Sequence, residues 1–166
     1  MKKLLIAMVG AALFSSAGAV QAQDSTKHFD GAYVGADAGY IRDNDGTDDF
    51  YYGLNLGFRK QTDSNLVFGV EGNFGQTSIE DINIDHWTAL GSVGWAFGEE
   101  NRNLFSLGGG YVLLKASYES LSDTGDAYAA FAGYEHAFGS SLSFRLRLTT
   151  YEFDTYIGTA GLSYRF

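Results

Sequence analysis

Apolar and polar residues alternate along almost the whole chain from Ala32 to Phe166. A period of two marks extended strands whose two faces meet different surroundings. Eight segments carry it. Over 32–41, Ala32, Val34, Ala36, Ala38 and Tyr40 oppose Tyr33, Gly35, Asp37 and Gly39. Over 50–60, Tyr52, Leu54, Leu56 and Phe58 oppose Tyr51, Gly53, Asn55, Gly57 and Arg59. The third, 66–76, sets Leu66, Phe68, Val70 and Phe74 against Gly69, Glu71, Asn73 and Gly75, and the fourth, 86–97, sets Trp87, Ala89, Val93, Trp95 and Phe97 against Thr88, Ser92 and Gly94. Segment 104–115 is apolar on both faces; Phe105, Leu107, Tyr111 and Leu113 are assigned outward. Over 127–138, Tyr134, His136 and Phe138 oppose Gly133 and Glu135. The last two are 142–151, with Leu142, Phe144, Leu146 and Leu148 against Ser143, Arg145, Arg147 and Thr149, and 156–166, with Leu162, Tyr164 and Phe166 against Gly161, Ser163 and Arg165.

Charge placement decides which face is inside. Asp37, Arg59, Glu71, Glu135, Arg145, Arg147 and Arg165 all fall on the glycine-rich polar face, where acids and bases can pair. The other face is apolar, with aromatics near many strand ends, as in the interfacial girdles of membrane barrels. A soluble barrel needs a charged exterior along its strands, and none is present. The expected fold is all-β: an eight-stranded antiparallel up-and-down transmembrane β-barrel with a polar lumen just wide enough for side chains. The seven charged residues form an expected luminal ion-pair network, read as a plug, with a narrow ion path as the other reading.

The connections alternate in length. Those at 61–65, 98–103 and 139–141 are short, while those at 42–49, 77–85 and 116–126 are longer and acidic; the last, 152–155, is short. This is the asymmetry between periplasmic turns and outer loops. Ahead of the strands, Lys2 and Lys3 precede an apolar run from Leu4 to Phe14, and Val20-Gln21-Ala22 offers small residues for cleavage. Residues 1–22 are read as a signal peptide and 23–166 as the barrel domain. The apolar run is too short to cross a bilayer as a helix.

Composition narrows the function. The chain has 20 acidic against 11 basic residues; losing Lys2 and Lys3 leaves 9 basic residues and a net charge of −11. That excludes a nucleic-acid partner, which needs a basic surface. Zero cysteines exclude disulfides, Cys-based zinc sites and thiol nucleophiles.

Phe29-Asp30-Gly31-Ala32-Tyr33-Val34-Gly35 resembles the opening strand, and Gly161-Leu162-Ser163-Tyr164-Arg165-Phe166 the closing strand, of small outer-membrane barrels. Phe68-Gly69-Val70-Glu71 and Gly133-Tyr134-Glu135 sit where that family places inward glutamates. The mature chain thus resembles the OmpA/OmpX-type eight-stranded barrel domain. The resemblance implies a monomer in the outer membrane of a Gram-negative bacterium, contacting outer-membrane lipid and lipopolysaccharide. It implies that Leu162, Tyr164 and Phe166 carry the signal read by the outer-membrane barrel assembly machinery. Since the chain ends at Phe166, a peptidoglycan-binding domain is not expected.

Three functions follow. The first is a non-enzymatic structural or surface-interaction barrel, without cofactors. The second is a small-conductance, porin-like channel. The third is a lipid A-modifying enzyme, which needs a lipid-facing histidine with a serine and an acid. His136 faces outward, but Ser140 and Ser141 lie in a turn and Glu135 points inward, so His136 reads as a girdle residue. His86 is placed at the outer rim and His28 ahead of the first strand, neither with a metal-ligand spacing. Asp43, Asp45, Asp48 and Asp49 form a candidate divalent-cation loop, with Glu80, Asp81, Asp85, Glu119, Asp123, Asp126, Glu152 and Asp154 near by. Cations there could bridge to lipopolysaccharide phosphates; without them, adhesion to anionic surfaces is disfavoured.

Overall fold

The computed structural model describes residues 27–166 apart from 44, 45, 47, 80, 81, 119 and 120. Eight strands, β1 (Gly31–Asp43), β2 (Asp48–Gln61), β3 (Leu66–Ile79), β4 (Ile82–Phe97), β5 (Asn103–Tyr118), β6 (Leu121–Ala137), β7 (Leu142–Tyr151) and β8 (Thr155–Arg165), close into one barrel. Every neighbouring pair is antiparallel, and β8 returns to β1 in a ladder from Asp43↔Thr155 to Tyr33↔Arg165. Closure leaves no edge strand, so no ladder donor along the closed wall faces an apolar medium unpaired. The proposed signal peptide lies outside the described residues.

The alternation holds through the central part of all eight strands. On β2, Tyr52, Leu54, Leu56 and Phe58 are exposed while Tyr51, Asn55 and Arg59 are buried. On β5, Phe105, Leu107 and Tyr111 face outward as expected. Leu104 and Val112 point inward and are buried, which explains why that segment is apolar on both faces.

The short turns fall at 62–65, 98–102 and 138–141, near the expected positions. The opposite connections differ from expectation. Residues read as long loops continue the strands: β3 runs to Ile79, β4 starts at Ile82, β5 runs to Tyr118 and β6 starts at Leu121. The asymmetry lies in strands that overrun, not in long loops. We call this the hairpin end and the other, which holds both chain ends, the terminal end.

The lumen is layered. Near the terminal end, Phe29, Val67, Ala96, Leu104 and Ala137 form a buried apolar cluster. Toward the hairpin end, Ile41, Tyr51, Leu90, Val112, Phe131, Tyr151 and Ile157 form another, with Ala129. Inward glycines make room for the large rings. A Cβ on Gly75 would strike the Tyr51 ring, and one on Gly57 would lie 2.6 Å from the Tyr33 hydroxyl. Outward Gly91 is different: the nearest atom to such a Cβ is 4.0 Å away. Gly75→Val will therefore lose ~1–3 kcal/mol by overpacking, while Gly91→Val stays within ~0.5 kcal/mol of the parent. Urea unfolding of the two variants side by side checks this; equal losses would sink it.

Candidate functional site

Between the two apolar layers sits a cluster of charge. Parity turns Asp37 on β1, Arg59 on β2, Glu71 on β3, Glu135 on β6 and Arg145 and Arg147 on β7 into the lumen. There Arg59 Nη1 donates to Glu135 Oε2 at 2.8 Å. Arg145 bridges two acids, reaching Glu71 Oε2 at 2.6 Å and Asp37 Oδ2 at 2.9 Å. Arg147 holds Glu71 through two contacts, 2.5 Å to Oε1 and 3.1 Å to Oε2.

The acids have further partners. Tyr33 Oη donates to Glu71 Oε2. Ser143 Oγ donates to Glu135 Oε1 at 2.5 Å, and Asn55 Nδ2 to Asp37 Oδ2 at 2.7 Å. Two guanidiniums stack on rings, Arg59 at 4.1 Å from the Tyr33 centroid and Arg147 at 4.3 Å from that of Phe131. Three acids thus meet three arginines, and the cluster is neutral. Buried charges persist where paired and hydrogen-bonded, because an unpaired one costs several kcal/mol.

Six of the seven residues expected in the network come together; Arg165 does not. It lies near the chain end and donates to backbone carbonyls, Nη1 to Lys27 O at 2.5 Å and to Asp30 O at 3.0 Å, and Nε to Ser140 O at 3.0 Å. At β8's last residue its guanidinium bonds to the backbone carbonyls of the mouth.

Sequence reasoning missed two of the inward aromatics. Phe131 and Tyr151, given no face by the pattern, are both buried in the lumen, beside Tyr33 and Tyr51, which parity already places inward. The signal was the facing glycines, visible only once the register is known. Phe29, quoted in the opening motif, precedes the strand, which begins at Gly31, and its side chain is buried in the mouth. His86 lies four residues inside β4 rather than at the rim. It is buried between the rings of Tyr51 and Tyr151, with Nε2 3.1 Å from Thr77 Oγ1.

The acidic end forms no metal centre among the described residues. Asp48 pairs with Arg42 at 3.0 Å, and Asp49 Oδ1 accepts from the Phe50 N–H at 2.6 Å. These two are consecutive residues of a strand and point to opposite faces. Asp43 ends β1, and Asp45 lies outside the described residues. Glu80, Asp81 and Glu119 also lie outside them. Asp85 accepts from Gln76 at 2.8 Å, and Asp126 from the Tyr111 hydroxyl.

The lipid-facing candidates are in place as side chains. His136 faces outward, with Nδ1 2.9 Å from Asn103 Oδ1, which also accepts from Tyr134 Oη at 2.7 Å. An amide, not a carboxylate, orients that imidazole. Leu162, Tyr164 and Phe166 form one outward row on and just beyond β8, with the Tyr164 and Phe166 rings edge-to-face at 5.4 Å. At the terminal end, outside the apolar band, Lys27 Nζ donates to Asp63 at 2.6 Å. That hydrogen bond and the ammonium charge hold the Asp63 carboxyl below its ordinary range.

The model of the outer membrane protein beta-barrel domain family matches residues 10–166. Among solved structures, Neisserial surface protein A aligns over 81% of this chain and 97% of its own, at 16% identity and a TM-score of 0.57. Ail, the attachment invasion locus protein of Yersinia pestis, in complex with the heparin analogue sucrose octasulfate, aligns over 81% and 96% at 21% identity, TM-score 0.54. The N-terminal β-barrel domain of Pseudomonas aeruginosa OprF aligns over 81% and 97% at 14% identity, TM-score 0.53. At such identities the likeness is one of fold. No curated protein matches the chain.

Proposed function

Because the chain belongs to the outer membrane protein beta-barrel domain family, we propose that it is a non-enzymatic envelope protein whose lumen is plugged and whose outer surfaces carry its interactions. One observation carries this reading: the neutral ion cluster lies between two buried apolar layers. An ion crossing the lumen would have to leave water twice, and each desolvation costs several kcal/mol. The cavities beside the cluster, one lined by Arg59, Glu135 and Ser163 and one by Arg59, Glu71 and Arg147, have volumes of about 10 Å³ each. Each has room for at most about one water.

The lipid face supports the rest. Outward aromatics gather toward both ends, with Tyr40, Phe50 and Tyr52 at one and Trp95, Phe97 and Phe166 at the other. In this reading the terminal end faces the periplasm after export by the signal peptide. The hairpin end meets lipopolysaccharide and solvent, and the barrel is a monomer seated by the assembly machinery. A sulfated polyanion of the kind bound to the Yersinia barrel is a poor partner for so acidic an end. Catalysis at His136 lacks support, since its ring is held by an amide.

Planar-bilayer recordings test the plug. Both the parent and Arg145→Ala will be silent, because removing one guanidinium leaves both apolar layers standing. Steady unitary currents that grow in Arg145→Ala would make the ion pairs a gate and the protein a channel.

A further inference from the structure

Lys27 to Asp30 precede β1 and lie outside its ladders, yet they are firmly placed across the terminal mouth. The Phe29 side chain enters the lumen and is 2% exposed, packed with Val67, Ala96, Leu104 and Ala137. Its N–H donates to Oε1 of the buried Gln61 at 3.1 Å. Around it, Lys27 and Asp30 reach toward β2 and the following turn, through Lys27–Asp63 at 2.6 Å and Lys60–Asp30 at 3.0 Å. His28 Nδ1 lies 3.2 Å from Gly139 O in the β6–β7 turn, and Arg165 grips the carbonyls of Lys27 and Asp30.

We propose that this segment is a removable stopper, hinged at Gly31, which closes the terminal mouth over the ion cluster. Gly31 has φ +118°, a conformation that L side chains rarely adopt, and it turns the chain from the barrel wall into the lumen. Immediately behind Phe29 is a small chamber lined by His28, Arg59, Glu135, Ser163 and Arg165. The ties differ in strength. Asp63 is 96% exposed and Lys60 60% exposed, so those ion pairs hold weakly. The wall, by contrast, is held by continuous ladders. The buried phenyl ring, the Gln61 bond and the Arg165 bonds to its carbonyls hold the segment, and none belongs to the wall's ladders, so the segment is able to leave while the barrel stays closed. The inference is independent of whether the lumen conducts.

The chain has no cysteine, so a single introduced thiol reports cleanly. Ser163→Cys reports on the chamber, since Ser163 is buried and lines it. Val112→Cys, fully buried in the opposite apolar layer, reports on the barrel as a whole. Labelling by a charged maleimide is followed on refolded protein in detergent micelles. S163C will label slowly behind an intact Phe29, and Phe29→Ala will speed it by about tenfold or more. Phe29→Leu, which keeps an apolar stopper, will stay close to the parent rate, and V112C will stay slow throughout. Equal S163C rates with and without Phe29 would overturn the proposal. So would acceleration of V112C alongside S163C, which would make Phe29 a general packing residue.

Discussion

Glu71→Gln will destabilise the barrel by ~3–5 kcal/mol, the cost of leaving a buried charge without its partner. Glu71 is the hub of the luminal cluster: it accepts from Arg145, from Arg147 twice and from Tyr33. Glutamine preserves its volume, so packing is held constant and only charge changes. The cluster then carries three arginines against two acids, buried in the lumen. Adding Arg147→Met restores neutrality. Among the described residues the one carboxylate Arg147 bonds to is Glu71, and its contact with the Phe131 ring suits a thioether. The double variant will thus recover ~1–3 kcal/mol relative to additivity. Urea unfolding of parent, both singles and the double gives the coupling. A double variant as unstable as the sum of its singles would show that charge balance is not what holds the cluster.

Much of this was legible because a barrel wall in lipid leaves little freedom to its sequence. Each outward position must be apolar and each inward one must fit a narrow polar lumen, so parity is written into every spanning strand. Even β5, apolar on both faces, could be oriented from Phe105, Leu107 and Tyr111. The overrunning hairpins were illegible for the converse reason. Beyond the lipid, both faces of a strand meet water and alternation stops; Ser78 and Ser117 therefore looked like loop residues although they lie in β3 and β5. The six clustered charges were found as a set, but their pairing was not. That Arg59 reaches Glu135 across the lumen, from β2 to β6, depends on strand register and barrel shear, which no local pattern encodes. Arg165 was misassigned because a carbonyl partner leaves no mark in a sequence. The burial of Phe29 was not legible, because a phenylalanine just before a strand looks the same whether it faces lipid or the lumen.

Leu54→Arg will cost ~2–4 kcal/mol in a bilayer, the penalty for arginine on the lipid face at midplane depth. On β2 the outward residues from Phe50 to Phe58 are apolar without a break, and Lys60 is the first charge beyond them. At about 3.3 Å per residue and a tilt of roughly 40°, that run covers about 20 Å of bilayer thickness. Leu54 is at its centre, and it is 61% exposed with no packing role inside the barrel. Tyr40→Arg is the matched comparison. Tyr40 is also outward and large, but it lies at the aromatic girdle two residues from Arg42, where an arginine reaches the headgroups and costs ~0–1 kcal/mol. The depth gradient, rather than either value, identifies the solvent. A barrel in water would accept arginine at both positions within ~0.5 kcal/mol. Unfolding of both variants in phospholipid vesicles gives the two costs. Equal costs would mean that the band from Phe50 to Phe58 does not lie in lipid, whatever its resemblance to a membrane wall.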